Sequence, residues 1–220
     1  SSRHTVIINI LYYCMEKKRR AKGSGYLFVV GGPGASGSSA ISEALSNHFG
    51  LRRIYAGSLF RAAIQKKGYK EIEDFYKRSN MDELFKLDME VDRFLLEESK
   101  KGNLLIESKI FAGILHIKDI PATVTIWLDA SLHVRTLRHL NKLELTSFWS
   151  KIVEYIKIRR NLRKRRTIDR KRYMKLYGLD YNNPKGYNDI VIDSSKMNKE
   201  ETFNLILKKI KDGRYLEKQE

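Results

Sequence analysis

Residues 32–39, Gly32-Pro33-Gly34-Ala35-Ser36-Gly37-Ser38-Ser39, set two glycines five positions apart and follow the second with a pair of hydroxyl side chains. Glycine-rich turns of this spacing aim backbone N–H groups at one point, and a helix starting just behind them adds the positive end of its dipole. The chemistry such a loop serves is phosphate binding. The spacing matches G-x-x-x-x-G-K-[ST] at every fixed position except one, because Ser38 stands where the pattern has lysine. Ser39 offers a hydroxyl to Mg²⁺, but no loop cation reaches the β- and γ-phosphates of a bound nucleotide. Ser38 can replace a hydrogen bond and not a charge.

The flanking segments fit that purpose. Residues 26–30 (YLFVV) read as a short apolar strand leading into the loop, and residues 40–49 read as the helix behind it. Residues 52–67 follow with a short apolar stretch, a turn at Gly57 and a helix that sets Leu59, Phe60, Ala63 and Ile64 on one face. Residues 71–100 are acidic and helical by periodicity, with Leu84, Leu87, Val91 and Leu95 in register. Apolar runs recur at 103–107 (NLLIE), 122–128 (ATVTIWL) and 189–193 (DIVID). A helical region over 132–176, broken near 142–146, separates the last two, and Phe203, Ile206 and Ile210 mark a closing amphipathic helix. Short β-branched runs alternating with helices predict a buried parallel sheet in an α/β domain. Trp127 is expected in the core, and Trp149 as an anchor of the hinge before the basic helix.

Length and composition set the limits. At 220 residues and 42% hydrophobic content, the chain can bury one sizeable core and is short for two. A single cysteine, Cys14, excludes a disulfide framework and points to a reducing, cytoplasmic setting. The apolar residues 5–14 are too few to span a bilayer and lack the order of a signal peptide. Residues 1–14 are expected to be an upstream extension. The five histidines show no metal-ligand spacing.

The formal charge of +17 is concentrated: residues 151–176 carry twelve Lys/Arg against Glu154 and Asp169, and residues 16–22 carry five against Glu16. Two short segments thus hold fourteen of the seventeen net charges, which implies a polyanionic partner: nucleotide phosphates, RNA or an anionic surface.

Four further segments, in order behind the loop, carry a resemblance. Residues 56–61 (AGSLFR), 105–109 (LIESK), 172–180 (RYMKLYGLD) and 187–195 (YNDIVIDSS) resemble motifs of nucleoside monophosphate kinases, most closely the archaeal-type cytidylate kinases, over residues 26–210. The resemblance implies a P-loop NTPase three-layer fold with a five-stranded parallel sheet and a helical lid. It implies ATP as donor, Mg²⁺ as cofactor, a pyrimidine nucleoside monophosphate (CMP or dCMP) as acceptor, a monomer and no membrane partner. By the same resemblance, 1–25 is an N-terminal extension with a basic run and 26–212 one kinase-like domain. Within it, 57–100 forms the acceptor region and 142–176 an arginine-rich lid; 213–220 is a polar tail.

The carried-over roles are as follows. Gly32 to Ser39 hold ATP phosphates, with Arg135 and Arg138 on the donor side. Ser58, Arg61, Lys109, Asp169 and Arg170 serve the acceptor, with Asp169 reaching the cytosine edge or its neighbouring arginines. Ser38, Lys109, Arg165 and Arg172 surround the transferred group. Ser39 binds Mg²⁺, and Glu107 orients a water on it. Two alternatives stand beside this reading: the same chemistry on UMP or AMP, and a catalytically weakened kinase relative that binds RNA through residues 16–22 and 151–176.

Overall fold

The computed structural model describes residues 20, 21, 23–70 and 72–217. Strand β1 (Leu27–Gly31) is wholly buried and alternates its two faces. Leu27 and Val29 join a cluster on one side of the sheet with Phe111, Ile114 and Trp127. Phe28 and Val30 point the other way, to Ile41, Leu45, Ile206 and Ile210. Both faces are therefore covered, as a parallel sheet requires. The remaining strands are β2 (Arg52–Tyr55), β3 (Leu104–Glu107), β4 (Val124–Asp129) and β5 (Ile190–Asp193). They pair in the order β2-β3-β1-β4-β5, every pair parallel. The five expected strands are present.

Helix α1 (Ser38–Phe49) and the closing helix α8 (Lys199–Asp212) cover one face. On the other side lie α2 (Ala56–Lys66), α3 (Ile72–Arg78), α4 (Met81–Ser99) and α5 (Phe111–Ile117). Helix α2 begins at Ala56, so the turn expected at Gly57 is its first helical turn. Phe60, Ile64, Phe75, Leu84 and Leu87 build a small core of their own beneath α2, α3 and α4. Helix α6 (Leu132–Leu140) runs through a 3-10 turn, and α7 (Phe148–Tyr177) follows as one rod of 30 residues, about 45 Å long. The break near 142–146 falls where the sequence indicates.

Register fixes where chemistry can occur. Val30 lies opposite both Glu107 and Ile126, and Tyr55 lies opposite Glu107, so β1, β2, β3 and β4 end at one edge. Ligands of open α/β sheets bind beyond the carboxyl ends of the strands, and the glycine loop leaves β1 there.

Two expectations are met differently. Tyr215 and Leu216, in the segment read as a polar tail, pack against the α1/α8 core. Arg20, from the N-terminal basic run, bonds the carbonyls of Gly25 at 2.8 Å and Ser99 at 2.9 Å, bracing the chain before β1. Ala21 is the other described member of that run; residues 1–19, with Cys14, lie outside the described residues.

Candidate functional site: a phosphate loop and a cationic cleft

The glycine loop is held from behind and open in front. A Cβ on Gly32 would sit 2.3 Å from the Leu128 carbonyl oxygen, so only glycine fits against β4 there. Gly37 has φ 100°, a left-handed conformation that swings the chain into α1. Arg135, buried on α6, donates to the Ala130 carbonyl at 3.0 Å and the Gly34 carbonyl at 3.2 Å. Arg138 donates to the Ser36 carbonyl at 2.6 Å and the Ser194 carbonyl at 2.8 Å. Both guanidiniums thus grip the outer side of the loop through its carbonyls, which leaves N–H groups for the cleft. Helix α1 starts without a side-chain cap, so its first-turn N–H groups stay free for an anion.

At the end of β3, Glu107 is buried between two partners. Its Oε1 accepts from Ser39 Oγ at 2.5 Å, and its Oε2 pairs with Arg53 of β2 at 2.5 Å. Sequence reasoning missed Arg53. Its signal was an arginine in a strand whose register neighbour ends in a glutamate.

A second charged group lies beyond β3. Lys109 Nζ bonds Asp169 of α7 at 2.5 Å, and Asp169 also accepts from Arg172 at 3.0 Å. Arg172 lies 3.1 Å from Asp88 and donates to Tyr76 at 3.2 Å. Burial lowers the Lys109 ammonium below its usual value, opposed by Asp169 and reinforced by Arg165. For Asp169, burial acts upward, but Lys109 and Arg172 outweigh it and hold the carboxyl below the usual range. Asp88 behaves oppositely: burial pushes it up to about 7 against the pull of Arg172, with Asp92 adding to the rise. Asp92, bonded by the Tyr177 hydroxyl, is pushed up to about 6, again chiefly by burial.

One cleft of about 820 Å³ joins the two groups. Gly32, Pro33, Gly34, Ala35, Ser36, Gly37, Ser38 and Ser39 line one end with Arg138; Arg61, Lys109, Arg165 and Arg172 line the other with Asp88 and Tyr76. Glu107 borders it between them. Arg61 lies 5.0 Å over the Tyr55 ring. Leu162 of α7 comes within 3.5 Å of a Cβ placed on Gly34, and Arg165 follows it about one turn later on the same helix. Among the described residues Arg165 forms no ion pair.

Other predicted residues are not brought together. Arg135 is spent on loop carbonyls, and Ser58 donates to the Tyr55 carbonyl at 2.7 Å, outside the cleft. Arg170 is exposed and lies 3.7 Å from Asp180. Asp169 is 2% exposed and used by Lys109 and Arg172, so it does not border the cleft. Trp127 is core as expected, whereas Trp149 anchors no hinge: it is 74% exposed.

A 2-3-1-4-5 parallel sheet with a glycine loop between β1 and α1 defines a P-loop kinase fold. A shikimate kinase from Bacteroides thetaiotaomicron shares it, with a TM-score of 0.51 at 11% identity over 84% of this chain and 98% of that one. Residues 30–145 match the family described as an AAA domain. A cytidylate kinase of Pyrococcus horikoshii is 32% identical over 182 residues, spanning 82% of this chain and 85% of that protein. One from Methanopyrus kandleri is 30% identical over 189 residues, spanning 82% and 90%. The chain belongs to the archaeal-type cytidylate kinase family of nucleoside monophosphate kinases.

Proposed function

We propose that this kinase transfers the γ-phosphoryl group of ATP to CMP or dCMP, with Mg²⁺, by direct displacement. The observation that carries the reading is the single cleft, which runs from an anion-binding loop to a separate set of cations without a barrier. ATP phosphates rest on the N–H groups of residues 34–39, and the acceptor monophosphate meets Arg61 and Lys109. Phosphoryl transfer asks for alignment and charge neutralisation, and a fixed general base is not required.

Ser39 and Glu107 present hard oxygen donors side by side. Among the described residues no three His, Cys, Asp or Glu side chains cluster as a metal site. That combination suits Mg²⁺, which takes one or two protein oxygens and completes its shell with phosphate and water. When bound, the ion neutralises charge on the phosphate oxygens. Arg53 holds Glu107 in place from the far side.

Arg165 supplies the cation that Ser38 cannot. Lys109 and Arg172 already face carboxylates, and Arg138 faces carbonyls, whereas Arg165 borders the cleft with no ion pair among the described residues. Helix α7 covers the loop through Leu162, which limits the entry of water as a competing acceptor.

The test is a coupled assay of ADP formation, with CMP, dCMP, UMP and AMP offered separately. Turnover with CMP or dCMP well above the other two is expected. Failure to make CDP or dCDP with any nucleoside triphosphate donor would remove the proposal.

A further inference from the structure

Helix α7 has two unlike faces along its length. Ile158, Leu162, Asp169, Arg172 and Tyr173 are buried and share one side of the helix, from which Leu162, Arg172 and Tyr173 border the cleft. Phe148, Trp149, Ile152, Val153 and Ile156 are exposed, at 69%, 74%, 36%, 62% and 61%. At about 100° per residue the two sets point roughly 140° apart around the helix. Closure of α7 over nucleotides therefore cannot bury the exposed set.

The same outward side turns basic as the helix continues. Arg160, Arg163, Lys164, Arg170 and Lys171 are all exposed, within about 90° of the apolar set's mean direction. Among the described residues, Arg160, Arg163 and Lys164 form no ion pair. The surface is thus an aromatic and aliphatic tip followed by a band of cations on the same outward side. That order decides its partner. A second copy would bring two basic rows into proximity, and RNA has no use for Ile152, Val153 and Ile156, which cannot stack on bases. An interface of acyl chains under anionic headgroups satisfies both parts, as it does for amphipathic helices lying in a bilayer surface.

We propose that the outer face of α7 is a peripheral docking surface for an anionic lipid bilayer, with residues 148–156 entering the acyl boundary and Arg160, Arg163 and Lys164 meeting headgroup phosphates. No spanning segment is needed, and among the described residues no helix is long and apolar enough to cross a membrane. The catalytic cleft stays on the opposite side of the helix, so binding does not occlude it.

The intact protein is mixed with phosphatidylcholine vesicles, with vesicles containing phosphatidylserine, and with a poly-uridylate RNA. Trp149 is the reporter, because Trp127 is 1% exposed and already in apolar surroundings. Expected results are co-sedimentation with the phosphatidylserine vesicles alone and a blue shift of tryptophan emission. Trp149→Ser/Val153→Ser/Ile156→Ser and Arg160→Gln/Arg163→Gln/Lys164→Gln should each weaken partitioning at least tenfold; CMP kinase activity in solution and thermal unfolding verify that both variants remain folded. Absence of sedimentation overturns the proposal. So does binding that the serine variant leaves intact, since charge alone then suffices. Tighter binding to RNA than to vesicles, lost in the glutamine variant, reassigns the face to nucleic acid. A dimer in sedimentation velocity that the serine variant dissociates reassigns it to a second copy.

Discussion

If Arg165 supplies the charge that the loop lacks at Ser38, the two positions must be energetically coupled. A guanidinium about 4 Å from a phosphate charge, at an effective dielectric constant of about 20, contributes ~4 kcal/mol. Losses of a single preorganised donor elsewhere run to about 10²–10³ in kcat. Arg165→Ala in the natural chain should therefore lower kcat by about 10²–10³, with a smaller change in KM for CMP. In a Ser38→Lys background the loop carries its own cation, so the same truncation should cost only about tenfold. The difference, about 1.4–2.8 kcal/mol, is the coupling energy of the cycle. The assay is steady-state ADP production at saturating CMP for all four proteins. Equal losses from Arg165→Ala in both backgrounds would refute the substitution of one cation for the other.

Three further outcomes follow from the buried charges and the loop. Asp169→Asn leaves Lys109 and Arg172 side by side without their shared carboxylate, and should destabilise the fold by about 3–5 kcal/mol in denaturant unfolding; a loss below about 1 kcal/mol would mean the tie is dispensable. Asp88 holds its proton more tightly folded, with its pKa pushed up to about 7 by burial, than unfolded at about 4. Its stabilising contribution is complete below about pH 4 and is lost as pH rises through 7, so Asp88→Asn should remove about 2–3 kcal/mol of the decline in stability between pH 5 and 8. An unchanged pH slope in thermal unfolding would contradict that assignment. In Gly32→Ala the new Cβ meets the Leu128 carbonyl at 2.3 Å, so the loop must shift and the ATP dissociation constant should rise at least about tenfold in calorimetry. An unaltered constant would show that the loop has slack.

The fold was legible where one residue type repeats for one physical reason. Buried strands β1, β3, β4 and β5 are runs of β-branched and aliphatic residues, and the glycine loop is dictated by close approach to β4. Strand β2 begins with two arginines, so its apolar signal is weak, and Arg53's role depends on a side-chain partner, Glu107, 54 residues away. The charged groups were harder for the same reason. Asp169 and Arg172 lie on a helix whose inner side is partly ionic, so its period does not separate buried from exposed. Arg135 and Arg138 lie beside the glycine loop, but their bonds go to carbonyls, which no side-chain pattern reports. The exposed tip of α7 shows the converse: Trp149 read as a hinge anchor, whereas the packing leaves it, with Phe148 and Ile152, outside.

The bond between Lys109 and Asp169 has a consequence for which molecules can occupy the acceptor end. Asp169 is a ligand tethered to its own receptor, present at a fixed effective concentration whatever the solution contains. An incoming anion must exchange with it or share the ammonium. A phosphate monoester, with close to two charges near neutral pH, is suited to that exchange; a carboxylate brings one charge and an unphosphorylated nucleoside none. If Lys109 meets the acceptor as proposed, that end discriminates by valence before any base is read, and nucleosides, however well their rings fit, leave the internal ligand in place.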